Sequence, residues 1–259
     1  MERRRAPLRV GVLTPHATPG PEVEFSAIVP GGLLTRVVRL GKGDPPTTPA
    51  TLSALTTAEV LDAAAESLRG DSLAAVVYAS TTAAYAIGFG AESAMVSRLG
   101  SRLELPVVAT AASAVLALEA LEVERVALVG APWFEPEWNE LGAAYFRSQG
   151  FDVVFSRSAA LPRDPDRIAP AAVGEWTAKH VGDNAEGVFI GGNGFRVVEA
   201  IESLEEAIGR PVVTSNQALL WNLRSHIGEP AEINGYGRLL AMKSAPPSGR
   251  IERGRSGIQ

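Results

Sequence analysis

Two short stretches of the chain place small polar side chains and glycines at the end of an apolar run. They are Tyr78-Ala79-Ser80-Thr81-Thr82 and Gly191-Gly192-Asn193-Gly194. Glycine lets a ligand come close to the backbone and permits a positive φ. A helix is expected after each stretch, starting near Phe195 in the second case, and the free N–H groups of a helix N-terminus favour an anion. We predict that the two stretches are the two halves of one active site.

The candidate catalytic residues are His16, Ser80 and Asn193. Histidine titrates near neutral pH, which suits proton transfer, and His16 follows the first apolar run. Ser80 is a weak nucleophile or a hydrogen-bond donor to an anion, whereas Asn193 can only donate and accept hydrogen bonds. Each has a structural alternative: a surface-loop histidine, a hydroxyl bonded to the strand end, and an asparagine in a left-handed turn. His180 and His226 end predicted helices and are expected to be structural.

A second set of residues is predicted to contact the substrate. Trp133 is expected to form an apolar wall of the cleft. Arg196 is expected either to pair with a carboxylate or to lie on a helix surface. Glu22 and Glu24 are alternative candidates for a base, or else solvated or capping residues. The full set of predicted contacts is Thr14, Pro15, Thr81, Thr82, Trp133, Gly192, Gly194, Phe195 and Arg196.

The composition limits the classes of function. The chain has 259 residues, 46% of them hydrophobic, and a net charge of −5, which argues against a nucleic-acid surface. No apolar run reaches the roughly 20 residues that cross a bilayer, and the run behind the basic start is too short for a signal peptide. We therefore expect a cytoplasmic protein that binds no membrane and whose ends, residues 1–7 and 245–259, are flexible tails.

Cysteine is absent from the chain. Disulfides, cysteine-ligated metal sites and a thiol nucleophile are therefore ruled out. The sequence also has no Walker or dinucleotide-binding fingerprint and no cluster of metal ligands with usable spacing. We predict a protein that uses neither a cofactor nor a metal.

The elements that would position these residues alternate between apolar strands and helices, which predicts an α/β fold with parallel sheets. The pattern runs through the chain twice. We predict two similar lobes related by a pseudo-two-fold axis, each a four-stranded parallel sheet flanked by helices. Residues 8–115 and 215–241 would form the first lobe and residues 116–214 the second. Three pairs of segments match in order: Arg9–Pro15 with Arg125–Pro132, Ala75–Ser80 with Gly187–Gly192, and Pro106–Thr110 with Pro211–Ser215.

This duplication bears on the site, because open parallel sheets bind ligands at the carboxyl ends of their strands. A pseudo-two-fold axis would bring the corresponding ends face to face, and two helix N-termini around one cleft would suit a small di-anion. The alternative is that similar apolar strands are common to all parallel sheets.

Several motifs resemble a known family over roughly residues 8–241. The chain is similar to the maleate cis-trans isomerases and arylmalonate decarboxylases of the Asp/Glu racemase superfamily, which have a duplicated two-lobed fold. The motifs are Gly11–Pro15 followed by Pro21–Phe25, Ala127–Trp133 with Asn139-Glu140, and Val213–Ala218 with Trp221.

The resemblance implies a site in which two cysteines face each other across the cleft, one after the third strand of each lobe. Here Ser80 stands at the first of these positions and Asn193 at or next to the second. Trp133 replaces the family's tyrosine, and Ala17 or Thr18 stands where the family has an asparagine. A serine hydroxyl needs an activating base and asparagine cannot act as one, so the family's thiol mechanism is excluded.

The resemblance therefore implies a cofactor-independent isomerase, racemase or decarboxylase that acts on a small carboxylate or dicarboxylate by a thiol-independent route. The alternative is a catalytically degenerate protein that binds a small acid as a sensor or partner subunit. A homo-oligomer is consistent with the superfamily, although no stretch of the sequence identifies an interface.

Overall fold

Two four-stranded parallel sheets form the centre of the protein, and this confirms the predicted fold class. The computed structural model describes residues 6–41, 47–229 and 231–242. The strand order is β2-β1-β3-β4 in the first sheet and β6-β5-β7-β8 in the second. The strands are β1 (Leu8–Thr14), β2 (Leu33–Arg39), β3 (Ala75–Tyr78), β4 (Val107–Ala109), β5 (Arg125–Gly130), β6 (Asp152–Ser158), β7 (Gly187–Gly191) and β8 (Val212–Thr214).

Helices flank the two sheets. The inner strands β3 and β7 are buried along their whole length, whereas the edge strand β2 alternates between partly buried and exposed residues. The helices are α1 (Pro21–Ile28), α2 (Pro49–Leu55), α3 (Ala58–Glu66), α4 (Thr81–Leu103), α5 (Thr110–Ala120), α6 (Pro136–Ser148), α7 (Pro170–His180), α8 (Ile201–Ile208), α9 (Ser215–His226) and α10 (Gly237–Ala241).

The register of the strands relates the two lobes residue by residue. Val10 of β1 pairs with Ala75 of β3, and Val126 of β5 pairs with Gly187 of β7. Counting onward along β3 and β7, Ser80 corresponds to Gly192, and Thr81 corresponds to Asn193. Asn193 therefore lies next to the position equivalent to Ser80, and Gly192 occupies that position.

The two lobes differ in how the chain leaves the third strand. In the first lobe α4 begins directly at Thr81, and the Ser80 side chain caps it by accepting a 3.1 Å hydrogen bond from the Ala83 N–H. In the second lobe the predicted helix start near Phe195 is wrong. A short 3₁₀ turn spans Val198–Ala200, and α8 begins at Ile201.

A buried carboxylate explains the late helix start in the second lobe. Glu24 Oε1 of α1 accepts a 2.9 Å hydrogen bond from the Val198 N–H, at the beginning of the 3₁₀ turn. Gly192 adopts a φ of +127°, which is incompatible with helix. The positive end of this helical segment is thus bound by a side chain of the protein and does not face an external anion.

Helix α2 begins in a segment rich in Gly, Pro and Thr, residues 41–51. Thr48 caps this helix by accepting a 3.2 Å hydrogen bond from the Thr51 N–H. Within the predicted tails, residues 1–5 and 245–259 lie outside the described residues. Helix α9 packs against α1 and α5, while the lobe boundaries at 115/116 and 214/215 stay predictions. In the part of the chain that is described, no helix is long and apolar enough to cross a membrane.

Candidate active site

A cleft of about 210 Å³ lies at the carboxyl ends of the strands. Both lobes line it. The first lobe contributes the loop after β1 and the start of α4, and the second contributes the residues after β5 and the turn after β7. Eight of the predicted site residues line this cleft: Pro15, His16, Thr81, Thr82, Trp133, Gly192, Asn193 and Gly194.

His16 is held in the cleft by hydroxyl groups of the first lobe. Its Nε2 lies 2.8 Å from Ser80 Oγ and 3.5 Å from Thr82 Oγ1. Its backbone N–H donates to Thr14 Oγ1 at 3.3 Å, and Thr14 Oγ1 donates in turn to the carbonyl of Ala79 at 2.8 Å. Thr14 is therefore a buried support of the loop and does not line the cleft.

Ser80 lies behind His16. Its side chain is fully buried, and its Oγ is bonded to both His16 Nε2 and the Ala83 N–H. Which of the two, hydroxyl or imidazole, donates depends on the histidine tautomer. Through these hydrogen bonds Ser80 orients the imidazole of His16. Ser80 itself does not line the cleft.

The Asn193 side chain joins the two lobes. Its Oδ1 accepts hydrogen bonds from the Thr81 N–H at 3.0 Å and from Thr81 Oγ1 at 3.1 Å. Its Nδ2 donates to Thr110 Oγ1 at 3.1 Å and to Asn216 Oδ1 at 2.9 Å. Because the whole amide is bonded to protein groups, the predicted catalytic role of this side chain is not favoured by its contacts.

Sequence reasoning gave no role to the hydroxyl and amide groups that follow β4 and β8. Ser215 Oγ lies 2.9 Å from Thr81 Oγ1 and accepts a 2.9 Å hydrogen bond from the Gly192 N–H. Thr110 and Asn216 bind Asn193. The sequence did contain a pattern that could have indicated this role, because Thr110 and Ser215 occupy matching positions at the ends of the two Val-Val strands.

Glu24 places a carboxylate within hydrogen-bond distance of Asn216, the residue that binds the Asn193 amide. It is buried, and its Oε2 accepts a 2.6 Å hydrogen bond from Asn216 Nδ2. Burial raises the pKa of the Glu24 carboxyl to about 7, against the opposing effect of its hydrogen bonds. Glu22, in contrast, accepts from the Gly20 N–H at 3.0 Å and pairs with Arg39 at 2.7 Å. Of the three roles predicted for Glu24, the capping role fits these contacts and the solvated role does not, while the role of a base stays a prediction for a residue that does not line the cleft.

Two predicted contacts, Phe195 and Arg196, lie outside the lining of the cleft. Phe195 is buried and packs edge-on against Trp133, with ring centroids 5.8 Å apart. Arg196 forms an ion pair with Asp166. The arginine that does line the cleft is Arg163, which sequence reasoning missed because its loop carries no recognisable motif.

Arg163 donates to the carbonyl of Trp133 at 3.1 Å and to Glu135 Oε1 at 2.5 Å. Its side chain is 63% exposed. An exposed ion pair of this kind contributes little free energy. The guanidinium can therefore leave Glu135 and turn toward an anion in the cleft with only a small loss of stability.

Backbone groups complete the polar lining. Within the described ranges, the N–H groups of Thr82, Asn193 and Gly194 have no hydrogen-bond partner in the protein. Gly194 lies so close to the loop after β1 that an added Cβ would meet Thr18 Cγ2 at 3.0 Å. With a cationic Arg163 and a titratable His16 beside these donors, the cleft can hold a carboxylate and exchange a proton with it.

The other two histidines do not line this cleft. His180 stacks on Trp176 with centroids 4.3 Å apart, and His226 ends α9, where burial lowers its pKa. Among the described residues, no group of three or more histidine, cysteine or acidic side chains could hold a metal ion.

Two related lobes, each with a four-stranded parallel sheet, and a polar cleft between them define an α/β protein of the Asp/Glu racemase-like class. A family model for arylmalonate decarboxylase matches residues 52–240. The chain therefore belongs to the arylmalonate decarboxylase family, and the resemblance inferred from its motifs is confirmed. Comparison with curated proteins gave no match.

Solved structures with the same fold cover nearly the whole chain. Unliganded arylmalonate decarboxylase has 23% sequence identity and a TM-score of 0.77, over 90% of this chain and 98% of that one. An alanine variant of the maleate isomerase Iso from Pseudomonas putida S16, crystallised with maleate, has 22% identity and a TM-score of 0.81 over 91% and 98%. A Nocardia farcinica maleate cis-trans isomerase variant with a covalently bound succinylcysteine intermediate has 21% identity and a TM-score of 0.80 over 90% and 98%.

Proposed function

We propose that this protein is an isomerase- or decarboxylase-type enzyme that binds a small carboxylate in the inter-lobe cleft and transfers a proton through His16. One observation carries the proposal: the imidazole of His16 lines the cleft while its Nε2 is held 2.8 Å from the buried Ser80 hydroxyl. A titratable ring that is oriented in this way fits a general acid or base.

Recognition of the carboxylate would rest on the donors around the cleft. The backbone N–H groups of Thr82, Asn193 and Gly194, the Thr82 hydroxyl and the Arg163 guanidinium all belong to residues that line it. Backbone N–H groups and arginine bind carboxylates by charge-assisted hydrogen bonds. The cleft volume of about 210 Å³ lies below that of pockets for drug-sized ligands, which start at roughly 300 Å³, and this favours a small acid.

The proton would move as follows. In a racemisation, His16 takes the proton from the sp³ carbon next to the carboxylate, the electron pair is delocalised into the carboxylate, and the protonated His16 returns the proton to the other face of the planar intermediate after that intermediate has turned in the cleft. In a decarboxylation, the C–C bond breaks, CO₂ leaves, the electron pair stays on the carbon, and His16 gives that carbon a proton. The donors that bind the carboxylate would stabilise the negative charge of either intermediate.

A covalent thiol step is not open to this chain. The Nocardia farcinica enzyme has been captured with a succinylcysteine intermediate, whereas this chain has no cysteine. The proposed chemistry is therefore thiol-independent, and His16 would act alone as the proton carrier.

The test is NMR in D₂O with phenylmalonate and methylmalonate, which carry a proton on the carbon between their carboxylates, and with maleate, which this proton transfer does not isomerise, as a probe of binding alone. With the two malonates we expect deuterium incorporation at the carbon next to the carboxylate, or formation of the decarboxylated acid, and we expect neither with a His16→Asn variant. Turnover that survives His16→Asn would overturn the assignment of the proton carrier.

Binding of a small acid without turnover is the second candidate. It is favoured by the lack of thiols and by the Asn193 amide, whose hydrogen bonds all go to the protein. Thermal-shift measurements with the same three acids distinguish the two functions. A rise in melting temperature with no exchange and no product would support a sensor or partner subunit.

A further inference from the structure

We propose that Glu24 is a positioning residue for the cleft. From α1, Glu24 sets the orientation of two side-chain amides, those of Asn216 and Asn193, and so holds the start of α4 against the turn after β7. The inference rests on the proposed function only for its binding readout.

A continuous path of hydrogen bonds links Glu24 to the start of α4. Asn216 Nδ2 donates to Glu24 Oε2 at 2.6 Å and to the carbonyl of Asn193 at 2.8 Å. Asn216 Oδ1 accepts from Asn193 Nδ2 at 2.9 Å. Asn193 Oδ1 then accepts from the Thr81 N–H at 3.0 Å. Every group on this path is buried.

Donors and acceptors can alternate along this path in only one order. A carboxylate only accepts hydrogen bonds, so the NH₂ group of Asn216 must face Glu24 and its Oδ1 must face Asn193. If both amides were reversed, the NH₂ group of Asn193 would face the Thr81 N–H, and two donors would meet. The two acceptors of Asn216 Nδ2, the Glu24 carboxylate and the Asn193 carbonyl, therefore fix together which groups of the turn point at the first turn of α4.

Both oxygens of Glu24 are used. Oε1 accepts from the Val198 N–H at 2.9 Å, and Oε2 accepts from Asn216. A glutamine at this position offers one acceptor and one donor, so one of its two neighbours would be left facing a donor. The substitution Glu24→Gln preserves the shape of the side chain and reverses the polarity at one end.

The protonation state of Glu24 is coupled to this path. Because its pKa is raised to about 7 by burial, the carboxyl changes charge near neutral pH. The charged groups around it are Arg196, which lowers its pKa, Asp166, which pairs with Arg196, and Glu22 on the same helix, which pairs with Arg39. None of these donates to the Glu24 carboxylate.

The matched control is Glu205. It is also a buried carboxylate that accepts two backbone hydrogen bonds, from the N–H groups of Val212 and Arg238, both at 2.8 Å. It lies on α8, outside the lining of the cleft. Glu205→Gln therefore reproduces the loss of a buried acceptor without touching the path to Asn193.

The experiment follows the backbone amide of Thr81 and the side-chain amides of Asn193 and Asn216 by ¹⁵N NMR between pH 5.5 and pH 8.5. It uses the full chain in a His16→Asn background, which removes the titration of the imidazole. We expect all three signals to titrate together, Glu24→Gln to abolish this titration, and Glu205→Gln to retain it. Because no ligand is needed, the result does not depend on the proposed function.

The second readout is the affinity for malonate in the wild-type background. We expect Glu24→Gln to weaken binding roughly tenfold, because one mispaired buried donor costs on the order of a factor of ten, and Glu205→Gln to leave it unchanged. Thr81 and Asn193 signals that do not respond to pH in the His16→Asn protein would overturn the inference, even if Glu24→Gln failed to fold. Equal loss of affinity in both variants would also overturn it.

Discussion

The backbone N–H of Thr81 donates a 3.0 Å hydrogen bond to Asn193 Oδ1, across the two lobes. These two residues occupy equivalent positions after β3 and β7. The pseudo-two-fold axis therefore passes through a direct contact between the residues that it relates. One of the groups expected to bind a ligand instead joins the two lobes.

Removal of the Asn193 side chain should lower stability. Asn193→Ala leaves the Thr81 N–H and Asn216 Oδ1 without their partner in a buried site, and we expect a loss of about 1–3 kcal/mol in the free energy of unfolding. Urea denaturation measures it. Asn184→Ala, at an exposed asparagine, is the control; equal effects of the two substitutions would contradict the bridging role.

His16→Asn should remove turnover but retain binding of the acid. General acid–base catalysis contributes about 10²–10⁴-fold, and we expect a loss of this size in kcat. Isothermal titration with malonate tests binding separately. His180→Asn, which alters a histidine stacked on Trp176, should leave kcat unchanged. A similar decrease in both variants would argue against His16 as the proton carrier.

Gly20→Ala should displace the turn after β7, although Gly20 itself does not line the cleft. An added Cβ would lie 2.1 Å from the carbonyl oxygen of Asn193, so the turn after β7 must shift. We expect both the melting temperature and the affinity for malonate to decrease. Gly90→Ala is the matched control, because nothing lies within 4 Å of its added Cβ and alanine is the better helix former by about 1 kcal/mol. This variant should be at least as stable as the wild type.

Glu92 should make stability depend on pH. This carboxyl of α4 is buried, accepts a hydrogen bond from Tyr145 of α6, and has its pKa raised by burial to about 7 from an ordinary value of 4.5. Its contribution to stability is fully present below about pH 4.5 and is lost as pH rises through about 7, by about 3 kcal/mol at most.

Glu92→Gln isolates this contribution. Urea unfolding at pH 5 and pH 8 should show a smaller loss of stability with rising pH in the variant than in the wild type. Parallel pH dependences of the two proteins would mean that Glu92 does not titrate in the folded state as expected.

Arg163→Gln should weaken the binding of acids. Arg163 is the arginine that lines the cleft within the described part of the chain, and we expect a loss of roughly threefold to tenfold in affinity, smaller at high salt because exposed charges are screened. Titrations with malonate at low and high salt measure it. Arg157→Gln, at an exposed arginine over Phe155, should have no effect on affinity.

Local sequence patterns were sufficient for the fold. Short apolar runs that end in a polar or glycine residue predicted the strands, and their repetition predicted two equivalent lobes. The same reasoning placed His16 and Thr81 at one cleft with Gly192–Gly194, because the carboxyl ends of parallel strands meet at one edge of a sheet. These features depend on residues close together in the chain.

Contacts between residues that lie far apart in the chain could not be predicted from the sequence. The helix after Gly194 starts later than its pattern suggests because Glu24, far away in the chain, binds the Val198 N–H. Arg196 and Arg163 are equally plausible partners for an anion by residue type, and only the path of their loops decides that Arg163 lines the cleft.

The sequence by itself determined the two-lobed α/β architecture, the absence of a thiol and the location of the imidazole. Tertiary structure decided what the polar groups do. Asn193 is bonded on both sides of its amide and Glu24 is buried, because a buried polar group must find a partner and that partner is brought to it by the packing of the lobes. Residue types define which hydrogen bonds are available, and only the folded chain determines which of them are already made.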